Sequence, residues 1–222
     1  MIAFDPRRAA PSGRRPLGGP TPQAAWGRFN RRVALAALSL VGLVACSAEK
    51  AAFKGIDITG AEYARQLAMP DASGKPRMLT EFKGKVVVVF FGYTQCPDVC
   101  PTTLAEIAEV RTRLGADGAK VQPILVSVDP ERDTPEVLSA YAASFGRDVV
   151  ALRGSLEQTR AAAKEFKVFY AKVPGKSEGS YTMDHTAGSY VFDTQGRVRL
   201  FVRHGGGAEA MASDIKQLLA GA

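Results

Sequence analysis

The sequence predicts an α/β domain in which a central mixed sheet is flanked by helices. Strand and helix patterns alternate from residue 86 to residue 166, and such alternation is typical of a sheet rich in parallel strands. The last third of the chain shows instead two consecutive strand patterns and then an amphipathic helix. Together these observations indicate a sheet that combines parallel strands with an antiparallel hairpin.

The first 45 residues are predicted to be an N-terminal extension and a signal peptide. Residues 1–30 are rich in Pro, Gly and Arg and show little apolar periodicity, so we expect this stretch to be disordered. Arg31 and Arg32 then precede an apolar run at residues 33–44. A run of this length is too short for a spanning helix and is typical of a signal-peptide core.

The apolar run ends in the pentapeptide LVACS at residues 43–47, which resembles a bacterial lipobox. In a lipobox the cysteine becomes the lipid-bearing first residue of the mature protein, so Cys46 is predicted to be a lipid anchor. The mature protein would then be tethered in the bacterial cell envelope, on the periplasmic side of the membrane. The alternative is an ordinary signal peptide cleaved near Ala45 or Ala48, with Cys46 incidental.

The mature chain is close to electroneutral. Removing the leader's seven arginines and one aspartate from 29 basic and 22 acidic residues leaves 22 and 21, a net charge near +1. No basic stripe interleaved with aromatic residues remains, so the sequence argues against a nucleic-acid partner. We predict a short tether at residues 46–55 and a single domain at residues 56–222.

The domain is predicted to begin with a β-hairpin extension. Residues 56–60 lead into two short strand patterns, at 66–69 and 77–79, which flank turn-forming residues at 70–76. Residues 86–91 then form a continuous apolar run with four consecutive valines. This pattern predicts a strand that is buried on both faces in the middle of the sheet.

The remaining elements follow from periodicity and capping signals. The first are a helix to about residue 114, a strand at 121–128 and a helix that is capped by Thr134, has Pro135 in its first position and ends near 145. A strand at 149–152, a helix from the cap Ser155 to about 166 and a strand at 169–173 come next. A polar loop at 174–180, a strand at 186–192, a turn at 193–196, a strand at 198–202 and a helix to about 219 complete the chain. A β-α-β half followed by a β-β-α half is the thioredoxin arrangement, so a thioredoxin-like fold is expected.

Two cysteines follow the central strand. Cys96 and Cys100 lie where this strand ends and a helix begins, which is where open α/β sheets place their chemistry. The positive end of the helix dipole should make each thiol ionise more easily than a free one. Because positions i and i+4 share one helix face, both sulfurs can bind one metal ion or form a disulfide. The alternative is a pair of buried cysteines that act as small apolar residues.

Three separated motifs resemble the Sco/SenC family of copper-handling proteins, which are thioredoxin-fold domains tethered to the outer face of a respiratory membrane. They are residues 91–101 (FGYTQCPDVCP), 127–135 (SVDPERDTP) and 184–190 (DHTAGSY), within a resemblance over about residues 50–222. The resemblance implies that Cys96, Cys100 and His185 bind one copper ion per chain. Copper(I) is soft and suits two thiolates and an imidazole, although zinc accepts the same ligands.

The resemblance implies a copper chaperone that delivers copper to the copper A centre of cytochrome c oxidase subunit II. The alternative is a thiol-disulfide oxidoreductase that uses Cys96 and Cys100 to reduce the cysteines of that subunit; only the metal hypothesis requires His185. Another periplasmic copper chaperone and a thioredoxin-like reductant are further expected partners. A peroxidase is a third hypothesis, but no clear peroxide-activating arginine lies beside Cys96 in the motif.

Other residues in and near the motifs have both a structural and a functional interpretation. Asp129 and Asp133 are expected to shape the turn around Pro130, while Asp129 could also face the metal loop or touch a partner. Asp98, between the cysteines, could repel or recruit a partner, and Tyr93 is expected to line the wall of the site. His204 is predicted to be exposed and not to bind the metal.

Overall fold

The computed structural model describes residues 52–222, so the predicted leader and Cys46 lie outside the described residues. In the described part of the chain the strands and α-helices are β1 (Ile56–Asp57), β2 (Ala68–Pro70), β3 (Pro76–Met78), β4 (Val86–Gly92), α1 (Val99–Arg113), β5 (Val121–Ser127), α2 (Pro135–Ala143), β6 (Val150–Leu152), α3 (Leu156–Glu165), β7 (Tyr170–Pro174), β8 (Tyr181–His185), β9 (Gly188–Phe192), β10 (Val198–Arg203) and α4 (Ala208–Leu219). None of the described helices has the length and apolar character needed to cross a membrane.

The central sheet has six strands in the order β1-β10-β9-β4-β5-β6. Strands β4, β5 and β6 are parallel, whereas β9 is antiparallel to β4 and β10 is antiparallel to β9. The expected mixed sheet is therefore confirmed, with β4-α1-β5 and β9-β10-α4 forming the two halves of the thioredoxin-like arrangement. Parallel pairing is confined to one side of the sheet.

The core lies around β4 and β5, in which every residue is buried. This burial agrees with the continuous apolar run that predicted a central strand. Helices α1 and α4 pack against each other, and both contribute buried aliphatic side chains, among them Ile107 and Val110 of α1 and Ile215 and Leu218 of α4. The carboxyl end of β4, where the cysteine loop begins, is thus fixed by the best-packed part of the domain.

The N-terminal hairpin and the helix caps agree with the sequence. Strands β2 and β3 pair in an antiparallel hairpin, and the backbone of Pro70 accepts a hydrogen bond from Arg153 just after β6. Thr134 caps α2 by accepting a hydrogen bond from the N–H of Val137 at 3.3 Å. Ser155 caps α3 in a capping box with Gln158.

The prediction was wrong for the region before β9. The expected strand at 186–192 is shorter, because β9 begins at Gly188, and residues 181–185 form the unpredicted strand β8. Within residues 52–222, strand β8 pairs only with β7, in a two-stranded sheet separate from the central one. Burial along β8 alternates with period two, but only Met183 is fully buried, so this five-residue pattern is a weak strand signal. His185, which directly precedes the predicted strand at 186–192, is therefore the last residue of β8.

Candidate metal centre

The two cysteines occupy different environments at the end of β4. Cys96 lies in the loop before α1 and is half-buried, whereas Cys100 is the second residue of α1 and is fully buried. The prediction that both share a helix face was therefore wrong, since Cys96 precedes the cap residue Asp98. The two residues meet because the loop folds back, and the N–H of Cys100 donates a hydrogen bond to Sγ of Cys96 at 3.3 Å.

Gly92 makes room for the buried thiol. A Cβ atom at this position would lie 2.6 Å from the Phe90 ring and 3.0 Å from Sγ of Cys100. Any side chain there would displace either the ring or the sulfur. The glycine thus allows Cys100 to pack directly against the end of the central strand.

His185 faces Cys100 from the end of β8. Its Nε2 lies 3.4 Å from Sγ of Cys100, and its Nδ1 lies 3.1 Å from the backbone oxygen of Thr186. A carbonyl oxygen can only accept, so the Nδ1 position bears the proton and Nε2 presents its lone pair to the thiol. The rings of Phe90 and Tyr93 stand edge-on to the imidazole at 5.8 and 6.0 Å. Tyr93 is buried, with its ring beside the imidazole.

The three side chains form a group that could hold a metal ion. The sulfurs of Cys96 and Cys100 and a ring nitrogen of His185 all lie within 4.8 Å of one another. Ligand bonds of about 2.0–2.3 Å allow one ion to reach all three with only small movements. Among the described residues this is the single cluster of its kind.

The residues of this site lie inside a region with known relatives. The model of the family described as SCO1/SenC matches residues 57–220. The chain belongs to the SCO1/SenC family. The mitochondrial SCO2 homolog of Mus musculus is 32% identical over 152 residues, which are 68% of this chain and 60% of the mouse protein. The chain thus spans about 60% of the length of the curated relatives it matches.

Solved structures of SCO1/SenC relatives share this fold. The copper-bound ScoI of Bradyrhizobium japonicum is 42% identical with a TM-score of 0.61, and the match covers 68% of this chain and 96% of that one. BsSco, described as a Sco-family cytochrome c oxidase assembly protein with a disulfide switch, is 25% identical with a TM-score of 0.57, covering 76% and 99%. A SCO1/SenC family lipoprotein from Bacillus anthracis is 28% identical with a TM-score of 0.56, covering 69% and 92%.

Burial favours the neutral forms of Cys100 and His185 in this SCO1/SenC domain. Desolvation raises the pKa of the Cys100 thiol well above its ordinary value, and the contact with Cys96 raises it further. Burial also lowers the pKa of the His185 imidazole. The expectation that helix position would favour ionisation of Cys100 was therefore wrong, because desolvation outweighs the helix dipole. A thiolate-binding metal ion would have to displace the Cys100 proton.

The two aspartates of the second SCO1/SenC motif accept hydrogen bonds from neighbouring residues and not from the three candidate ligands. Asp129 is 1% exposed and accepts hydrogen bonds from Arg132 and from the hydroxyl of Tyr181. Asp133 is fully buried and accepts from Ser127 and from Thr94. These contacts agree with the turn-shaping interpretation, and they connect the motif to β8 and to the cysteine loop.

The other two polar candidates lie at the margin of the site. Asp98 is exposed and accepts a hydrogen bond from the hydroxyl of Thr102 at 3.3 Å. His204 is half-buried rather than exposed, because its Nδ1 lies 3.0 Å from the hydroxyl of buried Thr103. It is not part of the metal-binding group.

Sequence reasoning missed Arg132. Its guanidinium donates to the side chain of Gln95 at 3.0 Å and to the backbone oxygen of Tyr181 at 2.8 Å, and it lies over the ring of Tyr181. The only available signal was its place inside the second SCO1/SenC motif, since the contacts join residues 37 and 49 positions apart.

Proposed function

We propose that this domain is a copper chaperone that holds one copper ion through Cys96, Cys100 and His185. Its cargo would go to the copper A centre of cytochrome c oxidase subunit II. The observation that supports this most directly is the position of Nε2 of His185 against the Cys100 thiol, with Cys96 beside them. Copper bound to the 42% identical ScoI and the assembly role of BsSco agree with the proposal.

The ligand set suits a soft ion that must be released again. Two thiolates and an imidazole match copper(I), and three ligands leave one side open to a ligand of the receiving protein. Cys100 is the buried ligand, whereas half-buried Cys96 is the sulfur that an incoming partner can reach first. Protons return to the thiols as the copper leaves, since ligation and thiol protonation compete.

A thiol-disulfide oxidoreductase is the second candidate, and the two free thiols within 4.8 Å of each other favour it. In that reaction the Cys96 thiolate attacks a disulfide of subunit II and forms a mixed disulfide. Cys100 then attacks Cys96, so the two thiols lose two electrons and two protons while the partner gains two thiols. The disulfide switch described for BsSco agrees with this chemistry. Nothing in it uses His185.

An anaerobic copper(I) titration against a competing chelator tests the proposal. We expect one tightly held copper per chain, with affinity falling by at least about tenfold in His185→Ala, since even outer-shell changes commonly cost that much. His204→Ala is the matched control, because this half-buried histidine lies outside the metal-binding group, and it should bind like the wild type. Zinc competition under the same conditions tests metal preference.

Two outcomes would decide against the chaperone. Equal copper affinity in wild type and His185→Ala would show that His185 is not a copper ligand. If the domain takes no copper from the competing chelator, copper is excluded as the ion that the site binds. In either case, retained reduction of a disulfide-bonded copper A domain by wild type and His185→Ala, with loss in Cys96→Ser, would establish the oxidoreductase.

A further inference from the structure

The histidine of the site lies on a hairpin that is separate from the central sheet. Strands β7 and β8 form a hairpin that makes no strand pairing with the central sheet. A two-stranded hairpin is only marginally stable by itself in water. His185 is the last residue of β8, and two residues join it to β9 of the central sheet. Contacts outside the hairpin therefore act together with this short link to fix the distance between its ring and the thiols.

Side chains from the β5–α2 loop supply such contacts. Arg132 donates from Nη1 to the backbone oxygen of Tyr181 at 2.8 Å, and its Cζ lies 3.6 Å from the centre of the Tyr181 ring. The hydroxyl of Tyr181 donates to Asp129 at 2.9 Å, and Asp129 in turn accepts from Nε of Arg132. We call Asp129, Arg132 and Tyr181 the latch.

The same guanidinium also reaches the cysteine loop. Nη1 of Arg132 donates to Oε1 of Gln95 at 3.0 Å, one residue before Cys96. On the other side it contacts Tyr181, four residues before His185 in the same strand. One side chain therefore connects the segment that bears the first thiol with the segment that bears the histidine. The N–H of Met183, which donates to the hydroxyl of Tyr93 at 3.3 Å, is a weaker second connection.

We propose that Arg132 is a positioning residue that, with Asp129 and Tyr181, holds His185 over the thiol pair before copper arrives. This inference rests on the proposed function, in which His185 is a copper ligand. A ligand that is already in place loses less conformational freedom on binding, so the latch raises copper affinity without touching the metal. A lysine cannot replace the arginine, because its donors share one nitrogen, whereas Arg132 donates from both Nε and Nη1 and lays its plane over the Tyr181 ring.

A double-mutant cycle in copper(I) affinity tests the latch. Arg132→Met should lower affinity by about tenfold when His185 is present, as outer-shell changes commonly do. In the His185→Ala background the same substitution should change copper affinity by less than about twofold. Arg132 acts on affinity through His185, so its effect disappears when the histidine is absent. Arg132→Lys should not restore affinity, and Arg147→Met, at an exposed arginine, controls for the lost charge.

A measurement without copper tests whether Arg132 positions His185, independently of the proposed copper binding. The ring ¹⁵N and ¹H resonances of His185 should be sharp in the wild type and shifted or broadened in Arg132→Met, while circular dichroism and the unfolding midpoint confirm the fold. If Arg132→Met does not fold, Tyr181→Phe, which removes only the hydroxyl on Asp129, enters the same cycle and should show a smaller loss of the same kind.

Equal losses of affinity in both backgrounds, or an unchanged affinity together with unchanged ring resonances, would overturn the positioning role. If His185→Ala alone leaves copper affinity unchanged, the ligand assignment fails instead. In that event the ring resonances still decide whether Arg132 positions His185.

Discussion

At Cys100 two local effects act in opposite directions. The second position of a helix favours a thiolate, whereas complete burial favours the neutral thiol, and burial prevails. Neutral His185, with its lone pair toward this thiol, adds no charge. The Cys100 thiol therefore keeps its proton until an ion with strong affinity for thiolate displaces it. Hard ions such as Mg²⁺ bind sulfur too weakly to displace this proton.

Asp193, at the turn between β9 and β10, provides a pH-dependent test of the fold away from the metal centre. Burial raises the pKa of its carboxyl, but hydrogen bonds from the backbone and side chain of Arg197 and from the N–H of Gln195 outweigh burial and leave the pKa lowered. Because the folded-state pKa lies below the ordinary value of 3.8, its contribution is present above pH 3.8 and is lost as pH falls through the folded-state pKa.

We therefore expect Asp193→Asn to lower the free energy of unfolding by about 1–3 kcal/mol at pH 7, the range for hydrogen bonds to a buried charge. The difference from the wild type should shrink as pH falls below about 4. Urea unfolding across this pH range measures both. Asp117→Asn, which removes an exposed ion pair with Lys120, is the control and should cost less than about 1 kcal/mol. A difference that stays constant with pH would contradict the assignment.

At the scale of elements, the sequence predicted those parts whose stability comes from local signals. The apolar run at 86–91 identified the buried centre of the sheet, and Thr134 and Ser155 marked the starts of α2 and α3. Each signal lies within a few residues of the structure that it specifies. Boundaries differed by one or two residues, as helix and strand ends commonly do.

The parts that sequence reasoning missed depend on distant residues. Strand β8 has a single buried side chain and is fixed by Arg132 and Asp129, about 50 positions earlier in the chain. The convergence of His185 with the cysteines was predicted only through the family resemblance, because no local pattern links residues 85 positions apart. Cys96 was placed on the helix because the spacing allowed it, although the helix begins later.

The separate β7–β8 hairpin is expected to open more readily than the central sheet. Its backbone amides should exchange hydrogen faster than those of β4 and β5, because no strand pairing joins it to the central sheet of the described domain and mainly side-chain contacts hold it there. Copper(I) should slow exchange in β8 by on the order of tenfold once free copper exceeds its Kd tenfold, since opening would break the bond to His185.

Amide hydrogen exchange with and without copper measures this effect. The β2–β3 hairpin is the matched control: it is also a two-stranded sheet, but backbone bonds join it to β6 and it lies away from the cysteines. Its exchange should change little. Equal protection of both hairpins would indicate a general stabilisation, and no change in β8 would mean that copper does not engage His185.

At the scale of the whole molecule, the attachment of Lys54 and Gly55 to α4 limits the distance between the domain and a lipid on Cys46. The carboxylate of buried Asp214 in α4 accepts hydrogen bonds from the N–H groups of Lys54 and Gly55, at 2.8 and 2.7 Å. Cys46 precedes Lys54 by eight positions. Fully extended, such a segment reaches at most about 29 Å. A lipid on Cys46 would therefore keep the domain close to the membrane surface and to a membrane-embedded oxidase.

Membrane attachment should depend on the Cys46 sulfur, because a lipoprotein is joined to its lipid through that atom and serine cannot replace it. We expect the wild type in the membrane fraction of a bacterial host and Cys46→Ser in the soluble periplasmic fraction, since two or more acyl chains give stable anchoring and none gives little. Cys96→Ser, which alters a thiol of the proposed copper site, should remain with the membranes. Mass spectrometry of the mature amino terminus supplies the second readout. A mass equal to an unmodified chain that begins after Ala48, or membrane retention of Cys46→Ser, would show that the domain is not held by this lipid.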